Sequence, residues 1–330
     1  MLRLPPFEYL APRTLAEAVS MMADRGPEAM YVAGGTDLYP NMKRRQFEPK
    51  VLIGLRGIKE MYGLSTGSGL VIGADMTLAQ VSTHPDIVRK YPALACAAGL
   101  VSSPPLRNMG TIGGNLCVDT RCTYYNQTYH WRKALGFCLK KDGDTCWVAL
   151  SSPRCLAVSS SDCAPVAIAL GAQVRLVGPM GERLIPAEAL YHDDGMRYMT
   201  KAPDEILASI HLPRRDGWRM AYWKLRRRGS IDFPILGAAV ALRLESDGTC
   251  AEARIVLGAV ASYPVAASEA AALLIGNKIT RDLVEAAAQV AYKPAKPLDN
   301  TDMALSYRKK MAKVYVAGAL SEAAGLPAAR

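Results

Sequence analysis

Nowhere in the 330 residues does an apolar run reach the ~18 positions a bilayer-spanning helix needs, so no membrane association is expected. The N-terminal stretch MLRLPPFEYLAPRTLAEA has early prolines and no continuous apolar core, which argues against a secretory signal and for a cytoplasmic location. Histidine is scarce, four in all, and no Ser/His/Asp or Cys/His constellation gathers around them, so a hydrolytic centre has little to build on. Neither the G-x-G-x-x-G spacing of a Rossmann turn nor a P-loop is present. Internal repeats and low-complexity segments are also missing. The formal charge of +10 suits an acidic partner protein or a phosphate-rich ligand. Basic residues are scattered except at KRR (43–45), LRRR (225–228) and YRKKMAK (307–313), and no nucleic-acid motif accompanies them, so nucleic acid is not expected.

What is present is an ordinary globular composition, half apolar and about a fifth charged. TLAEAVSMMADRG has helical spacing with Thr14 as its cap. AMYVAGG and KVLIGLRG are short apolar strands of the kind covered on both faces. GLVIGADMTLAQVSTHP predicts strand, turn and a helix opened by Thr77, and the helix in YPALACAAGL is ended by Ser-Ser-Pro-Pro. CAPVAIALGAQVRLVGPMGERLIP predicts a helix and two strands, and DEILASIHLP a further strand. After RRDG (214–217) the pattern changes to alternating, antiparallel-type strands with Asp247-Gly248 as a hairpin turn, followed by three helices.

Two glycine pairs stand out. VAGGTD follows an apolar strand directly, and paired glycines there allow a ligand close to the backbone, with free N–H groups forming a nest for phosphate oxygens. A tight strand-to-helix turn explains the same run equally well. TIGGN (111–115) reads as a second strand-like approach to a glycine pair, with Thr111 and Asn115 as donors. Together the two runs suit the two phosphates of one dinucleotide. Asp162 in SSSDCAPV is either the N-cap of the helix that follows or an acceptor for a ribose hydroxyl.

In order along the chain, AGGTDL, RNMGTIGGNL, SDCAPVAIALGA, DEILASIHLP and YWKLRRRGSIDFPILGAAVAL resemble the FAD-binding medium subunit of the xanthine oxidase family of molybdenum hydroxylases. The resemblance implies an α+β fold: a two-lobed FAD-binding domain (PCMH type) plus a C-terminal domain with antiparallel sheet and helices, similar to the CO dehydrogenase flavoprotein C-terminal domain. It places the FAD domain at residues 1–214, with lobes of about 1–57 and 58–214, and the C-terminal domain at 215–330. It also implies an FAD loop made of Tyr31, Val32, Ala33, Gly34, Gly35, Thr36, Asp37 and Leu38, and a second loop with Thr111, Gly114 and Asn115. Asp162 matches the family's acidic residue on the adenosine side, and Leu207 and Lys224 match positions near the flavin ring, where Lys224 would favour an anionic reduced flavin.

Half of the eight cysteines, Cys122, Cys138, Cys146 and Cys155, lie in one polar, irregular segment between the GGN and SSSD runs. Ordinary members of the family join these runs by a short loop, whereas 46 residues separate Asn115 from Asp162 here, so about 119–159 is an insertion. The cysteines are separated by 15, 7 and 8 residues, too wide for paired C-x2-C zinc ligands or a bacterial ferredoxin run. A loop of this length without regular pattern needs cross-linking to hold one shape, and soft thiolates select zinc, copper(I) or iron–sulfur. His130 is a fifth candidate ligand, but four cysteines suffice and a surface or loop-packing histidine is the favoured reading; Trp131, Phe137 and Trp147 are expected to shield the site, and Lys133, Lys140 and Lys141 either form a solvated loop face or guide an acidic partner. Cys96 and Cys250 are expected as buried small hydrophobes, Cys117 and Cys163 as structural.

An inserted four-cysteine loop resembles the branch of the family that reductively dehydroxylates 4-hydroxybenzoyl-CoA, and that resemblance implies a [4Fe-4S] cluster on the four cysteines. It further implies a molybdopterin-binding large subunit, a [2Fe-2S] small subunit, a dimer of heterotrimers and ferredoxin as electron donor. Two rivals remain at this level. One is a hydroxylase of a different aromatic or heterocyclic substrate, with electrons flowing outward. The other is a zinc-binding flavin module that serves assembly.

Overall fold

A computed structural model describes residues 2–327. Twelve strands form three sheets: β1 (Glu8–Leu10), β2 (Ala29–Val32) and β3 (Val51–Gly54) in the first; β4 (Leu64–Thr66), β5 (Gly69–Gly73), β6 (Gln173–Gly178), β7 (Gly181–Pro186) and β8 (Ile206–Pro213) in the second; β9 (Trp218–Leu225), β10 (Leu236–Leu244), β11 (Cys250–Gly258) and β12 (Val265–Ala266) in the third. The first sheet is parallel in the order β1-β3-β2, and its central strand β3 is buried throughout, as its unbroken apolar sequence requires. β2 differs: Met30 and Tyr31 are only partly covered, because they line the cavities described below. The second sheet is antiparallel in the order β4-β5-β8-β6-β7.

The third sheet is antiparallel in the order β12-β11-β10-β9, with Asp247 accepting from the Thr249 amide in the β10–β11 turn. Its helices Ser268–Leu274, Arg281–Ala291 and Leu305–Ala324 share one apolar cluster with it. Small residues set the distance there: a Cβ on Gly318 of the last helix would meet the Trp223 ring at 2.3 Å. The mixture of helices with one parallel and two antiparallel sheets is the α+β architecture expected from the sequence. Among the described residues no helix is long and apolar enough to cross a membrane.

Local signals are read correctly at several ends. Thr14 accepts from the Glu17 amide, and Thr77 forms a reciprocal capping box with Gln80. TIGGN is a correction: Thr111 N-caps a one-turn helix, Ile112–Leu116, where a strand-like approach was expected. Leu106, five residues before Thr111, belongs to the short helix Pro104–Arg107, so no strand leads into the glycine pair.

Asp75, just after β5, is 6% exposed, and its Oδ1 has no partner. Burial pushes its carboxyl up to about 6, with the Arg56 charge drawing it partly back. Between the ordinary carboxylate range and that value the folded protein keeps a proton the unfolded chain has released, so stability falls as pH rises through this window. Asp75→Asn is therefore expected to stabilise the fold by about 1–2 kcal/mol near neutral pH and to be without effect near pH 4. Denaturation midpoints at the two pH values check this, and an equal effect at both would remove the charge as its cause.

Candidate functional site

Two cavities meet at the end of β2. The first, with about 1100 Å³ of empty space, is lined by the whole run Tyr31 to Leu38 together with Thr111, Gly114 and Asn115. The second, about 1540 Å³, takes Tyr31, Ala33, Thr111 and Gly114 from the same wall and adds Leu207. Their shared residues make them one elongated cleft between the first and second sheets.

The glycines of this cleft divide by cause. A Cβ on Gly34 would stand 1.9 Å from the Met109 carbonyl oxygen, and one on Gly113 would stand 2.6 Å from the Ala74 Cβ, so both are required by the packing of one loop on another. Gly35 adopts φ +69°, the left-handed region that favours glycine. Gly114 lines both cavities, and a Cβ there would meet only Thr111 Oγ1 at 3.0 Å. The amides of Gly34, Gly35 and Thr36 donate to no described acceptor, which leaves a nest facing the first cavity. Thr111 Oγ1 accepts from the Gly114 amide at 3.0 Å. The Asn115 carboxamide oxygen accepts from Ser161 Oγ at 2.8 Å and the Cys163 amide at 3.1 Å, tying this wall to the SSSD run.

Asp162 and Lys224 line neither cavity. They form a buried ion pair, Lys224 Nζ to Asp162 Oδ2 at 2.9 Å, with side-chain exposures of 1% and 2%. Tyr222 OH donates to the other carboxylate oxygen at 2.8 Å, and Lys224 Nζ also donates to the Leu100 carbonyl at 2.9 Å. Burial pushes the Asp162 carboxyl up, with Lys224 and Tyr222 pulling against it. Of the two roles open to Asp162, capping is not seen: the Ala164 amide donates to Ser161 Oγ at 3.0 Å, and Asp162 caps nothing. The pair instead supports the cleft from behind, since Leu100 leads directly into Val101 and Ser102 of the first cavity's wall.

Asp119, Cys117, Tyr198 and Phe233 also line the first cavity, and no sequence motif marks them. Cys117, expected as purely structural, reaches both cavities. Phe233 carries the Arg121 guanidinium 4.2 Å above its ring, and Arg121 in turn pairs with Asp37. The stretch around Asp119 offered no cue beyond a lone carboxylate near the insertion.

The inserted segment closes at its neck by an antiparallel exchange, Arg121 N to Val158 O at 2.8 Å and Val158 N to Arg121 O at 2.7 Å. Inside it, Cys122, Cys138, Cys146 and Cys155 are all buried, all free and all on the wall of one small, nearly filled cavity. Three sit on turns: Cys122 O accepts from the Asn126 amide, Cys138 O from the Lys141 and Gly143 amides, and Cys146 O from the Ala149 amide, whereas Cys155 O accepts from the distant Gly195 amide. The Ala157 amide donates to Cys155 Sγ at 3.4 Å. Burial pushes the Cys122 thiol up to about 11 and the Cys155 thiol up to about 12; the Ala157 amide and Lys140 draw Cys155 partly back. Among the described residues no three His, Cys, Asp or Glu side chains stand close enough to hold a single metal ion.

His130 is exposed and lies off the cavity wall, the surface histidine favoured above. Other expectations about this segment are corrected. Of Trp131, Phe137 and Trp147 only Trp147 lines the cavity, its indole donating to the Phe137 carbonyl at 2.5 Å; Tyr124 and Tyr125 supply the rest of the aromatic shield. Lys140 is not a surface docking residue: its ammonium pairs with Asp119 at 2.7 Å and its side chain is 6% exposed, leaving Lys133 exposed and Lys141 beside Asp142. Cys96 is exposed, whereas Cys250 and Cys163 are buried as expected.

The chain is similar to characterised proteins over nearly its whole length. The description "FAD binding domain in molybdopterin dehydrogenase" matches residues 5–215, and "CO dehydrogenase flavoprotein C-terminal domain" matches residues 220–323. The carbon monoxide dehydrogenase medium chain of Hydrogenophaga pseudoflava is 30% identical over 323 residues, 97% of each chain. The nicotinate dehydrogenase FAD-subunit of Eubacterium barkeri is 26% identical over 308 residues, 92% of this chain and 91% of that one. The solved structure of carbon monoxide dehydrogenase from H. pseudoflava lacking the Mo-pyranopterin moiety superposes with a TM-score of 0.79 at 30% identity, covering 97% of this chain and 98% of that one.

Proposed function

Since the chain belongs to the FAD-binding medium subunits of the xanthine oxidase and CO dehydrogenase family, oxidoreductase subunits of molybdenum enzymes, we propose that it carries both FAD and a [4Fe-4S] cluster and moves electrons for a molybdenum-containing 4-hydroxybenzoyl-CoA reductase. The observation that carries the proposal is the convergence of Cys122, Cys138, Cys146 and Cys155 on one buried cavity, inside the segment that we read as an insertion. We divide the chain at 214/215, the FAD domain before and the C-terminal domain after, with 119–159 as the cluster-binding insertion.

The residues present fit both groups. Free amides at Gly34, Gly35 and Thr36 face the cavity where diphosphate oxygens would lie, Gly114 leaves room for them, and Leu207 in the second cavity offers an apolar wall to the flavin ring. Four soft sulfur ligands without carboxylate or imidazole beside them are the donor set of an iron–sulfur cluster. When bound, FAD exchanges one or two electrons and so connects a one-electron centre to a two-electron reaction. The protein's part is to hold the two sites together: Gln46 Nε2 donates to the Tyr125 carbonyl, Arg132 reaches the Arg44 and Arg45 carbonyls, and Asn300 Nδ2 donates to the Leu156 carbonyl, so the insertion is fastened to both domains.

In this reading a molybdopterin-binding large subunit holds the aromatic substrate, a [2Fe-2S] small subunit relays electrons to it, and ferredoxin delivers them to this chain, within a dimer of heterotrimers. The names of the relatives, carbon monoxide dehydrogenase and nicotinate dehydrogenase, favour a second reading: a hydroxylase of a heterocyclic or other substrate with the flow reversed. Redox titration of the complex separates the two. Potentials for flavin and cluster near the about −400 mV of plant-type ferredoxins support the reductase, and potentials far above that value exclude it.

A further inference from the structure

One buried ion pair forms the whole thickness of the wall between the thiol cavity and the dinucleotide cleft. Lys140 lines the thiol cavity. Its ammonium meets Asp119 Oδ1 at 2.7 Å and the Gly195 carbonyl at 2.7 Å, and it also touches Thr120. Asp119 lines the first cavity of the cleft, is 7% exposed, and its second oxygen, Oδ2, has no hydrogen-bond partner. Two rings flank the ammonium, Tyr125 from the thiol cavity at 4.7 Å and Tyr198 from the cleft at 5.5 Å. A buried ammonium near Cys155 acts on that sulfur at low effective dielectric.

We propose that Lys140 and Asp119 are an electrostatic partition behind the thiol cavity, Lys140 holding a fixed positive charge against the cluster's thiolates and Asp119 offsetting part of it. The proposal rests on the cluster reading above and adds two positioning residues that neither the glycine loops nor the cysteines announce. Removing the positive charge makes reduction of the cluster harder, and removing the negative one makes it easier. The two substitutions therefore move one observable in opposite directions, which loss of packing would not do.

The test uses the anaerobically purified complex with Lys140→Met, Lys140→Arg and Asp119→Asn. Iron and sulfide content, cluster potential and FAD affinity by fluorescence quenching are read on each. Lys140→Met is expected to lower the cluster's reduction equilibrium by about tenfold, 59 mV for a one-electron couple, and Lys140→Arg to restore most of it. Asp119→Asn is expected to raise that equilibrium and to leave FAD affinity near native. Should Lys140→Met lose its iron, the sign of the Asp119→Asn shift decides alone. Native iron content with potentials unchanged within twofold in the variants, or shifts of the same sign in Lys140→Met and Asp119→Asn, overturns the partition and leaves the cluster standing. A native complex without iron and sulfide overturns the cluster and the partition together.

Discussion

Lys224→Met is expected to cost the protein about 3–5 kcal/mol, because it strands Asp162 as an unpaired carboxylate in the interior. Both members of the pair are essentially without solvent, so water cannot take over the missing interaction. Tyr222 would remain as a donor to Asp162 Oδ1, but one neutral donor replaces little of an ammonium at 2.9 Å. The loss should depend on pH with a definite sign. Burial already pushes the Asp162 carboxyl up, and removing Lys224 removes the largest influence against it, so the folded variant prefers the protonated acid. Its deficit is then small near pH 4 and grows as pH rises past the ordinary carboxylate range. Thermal or denaturant midpoints across that window measure the effect. Adding Asp162→Asn should recover part of the loss, the non-additivity expected of touching residues. A deficit under about 1 kcal/mol, or one independent of pH, would show that the pair is not the buried contact described here. FAD affinity should fall in the same variant, because Lys224 also holds the Leu100 carbonyl just before Val101 and Ser102 of the cleft.

That pair also shows where reading the sequence stops. Asp162 and Lys224 are 62 residues apart, and each has an ordinary local explanation, a helix cap for one and a solvated strand lysine for the other. Nothing nearby in the chain says that β9 will carry Lys224 underneath the SSSD run. Lys140 is a similar case: surrounded by charged and polar neighbours, it looks like a surface residue, yet the neck formed by Arg121 and Val158 folds it inward onto Asp119. Short-range physics is far more legible. Thr14 and Thr77 cap helices through amides three residues on, and Asp247-Gly248 turns a hairpin, because the partners are fixed by local geometry. TIGGN misled for the same local reason. A glycine pair after Thr and Ile allows either an extended approach or a capped turn, and contacts with Ala74 and Met76, far away in sequence, select the turn. Cleft residues such as Cys117, Tyr198 and Phe233 come from separate segments and share no motif.

Cys146→Ser is expected to remove nearly all of the about four irons and four sulfides that the native chain should carry, while leaving FAD in place. Hydroxyl for thiol keeps the size of the side chain but replaces a soft ligand by a hard one, and three remaining thiolates hold a cluster poorly. FAD should stay because none of the four insertion cysteines lines the first or second cavity. The segment itself should loosen. Its apolar cluster is small, five buried residues with Tyr124, Trp147 and Val148 against them, too little to hold a loop of this length by packing. Protease cleavage or hydrogen exchange should therefore rise within 119–159 and not in the sheets. Cys96→Ser is the control, since Cys96 is exposed and remote from the cavity wall, and it should keep full iron. Two results would sink the assignment: iron and sulfide at native levels in Cys146→Ser, or a native chain that yields one zinc and no sulfide. The second would also reassign the insertion from electron transfer to structure, because zinc has no redox chemistry to contribute.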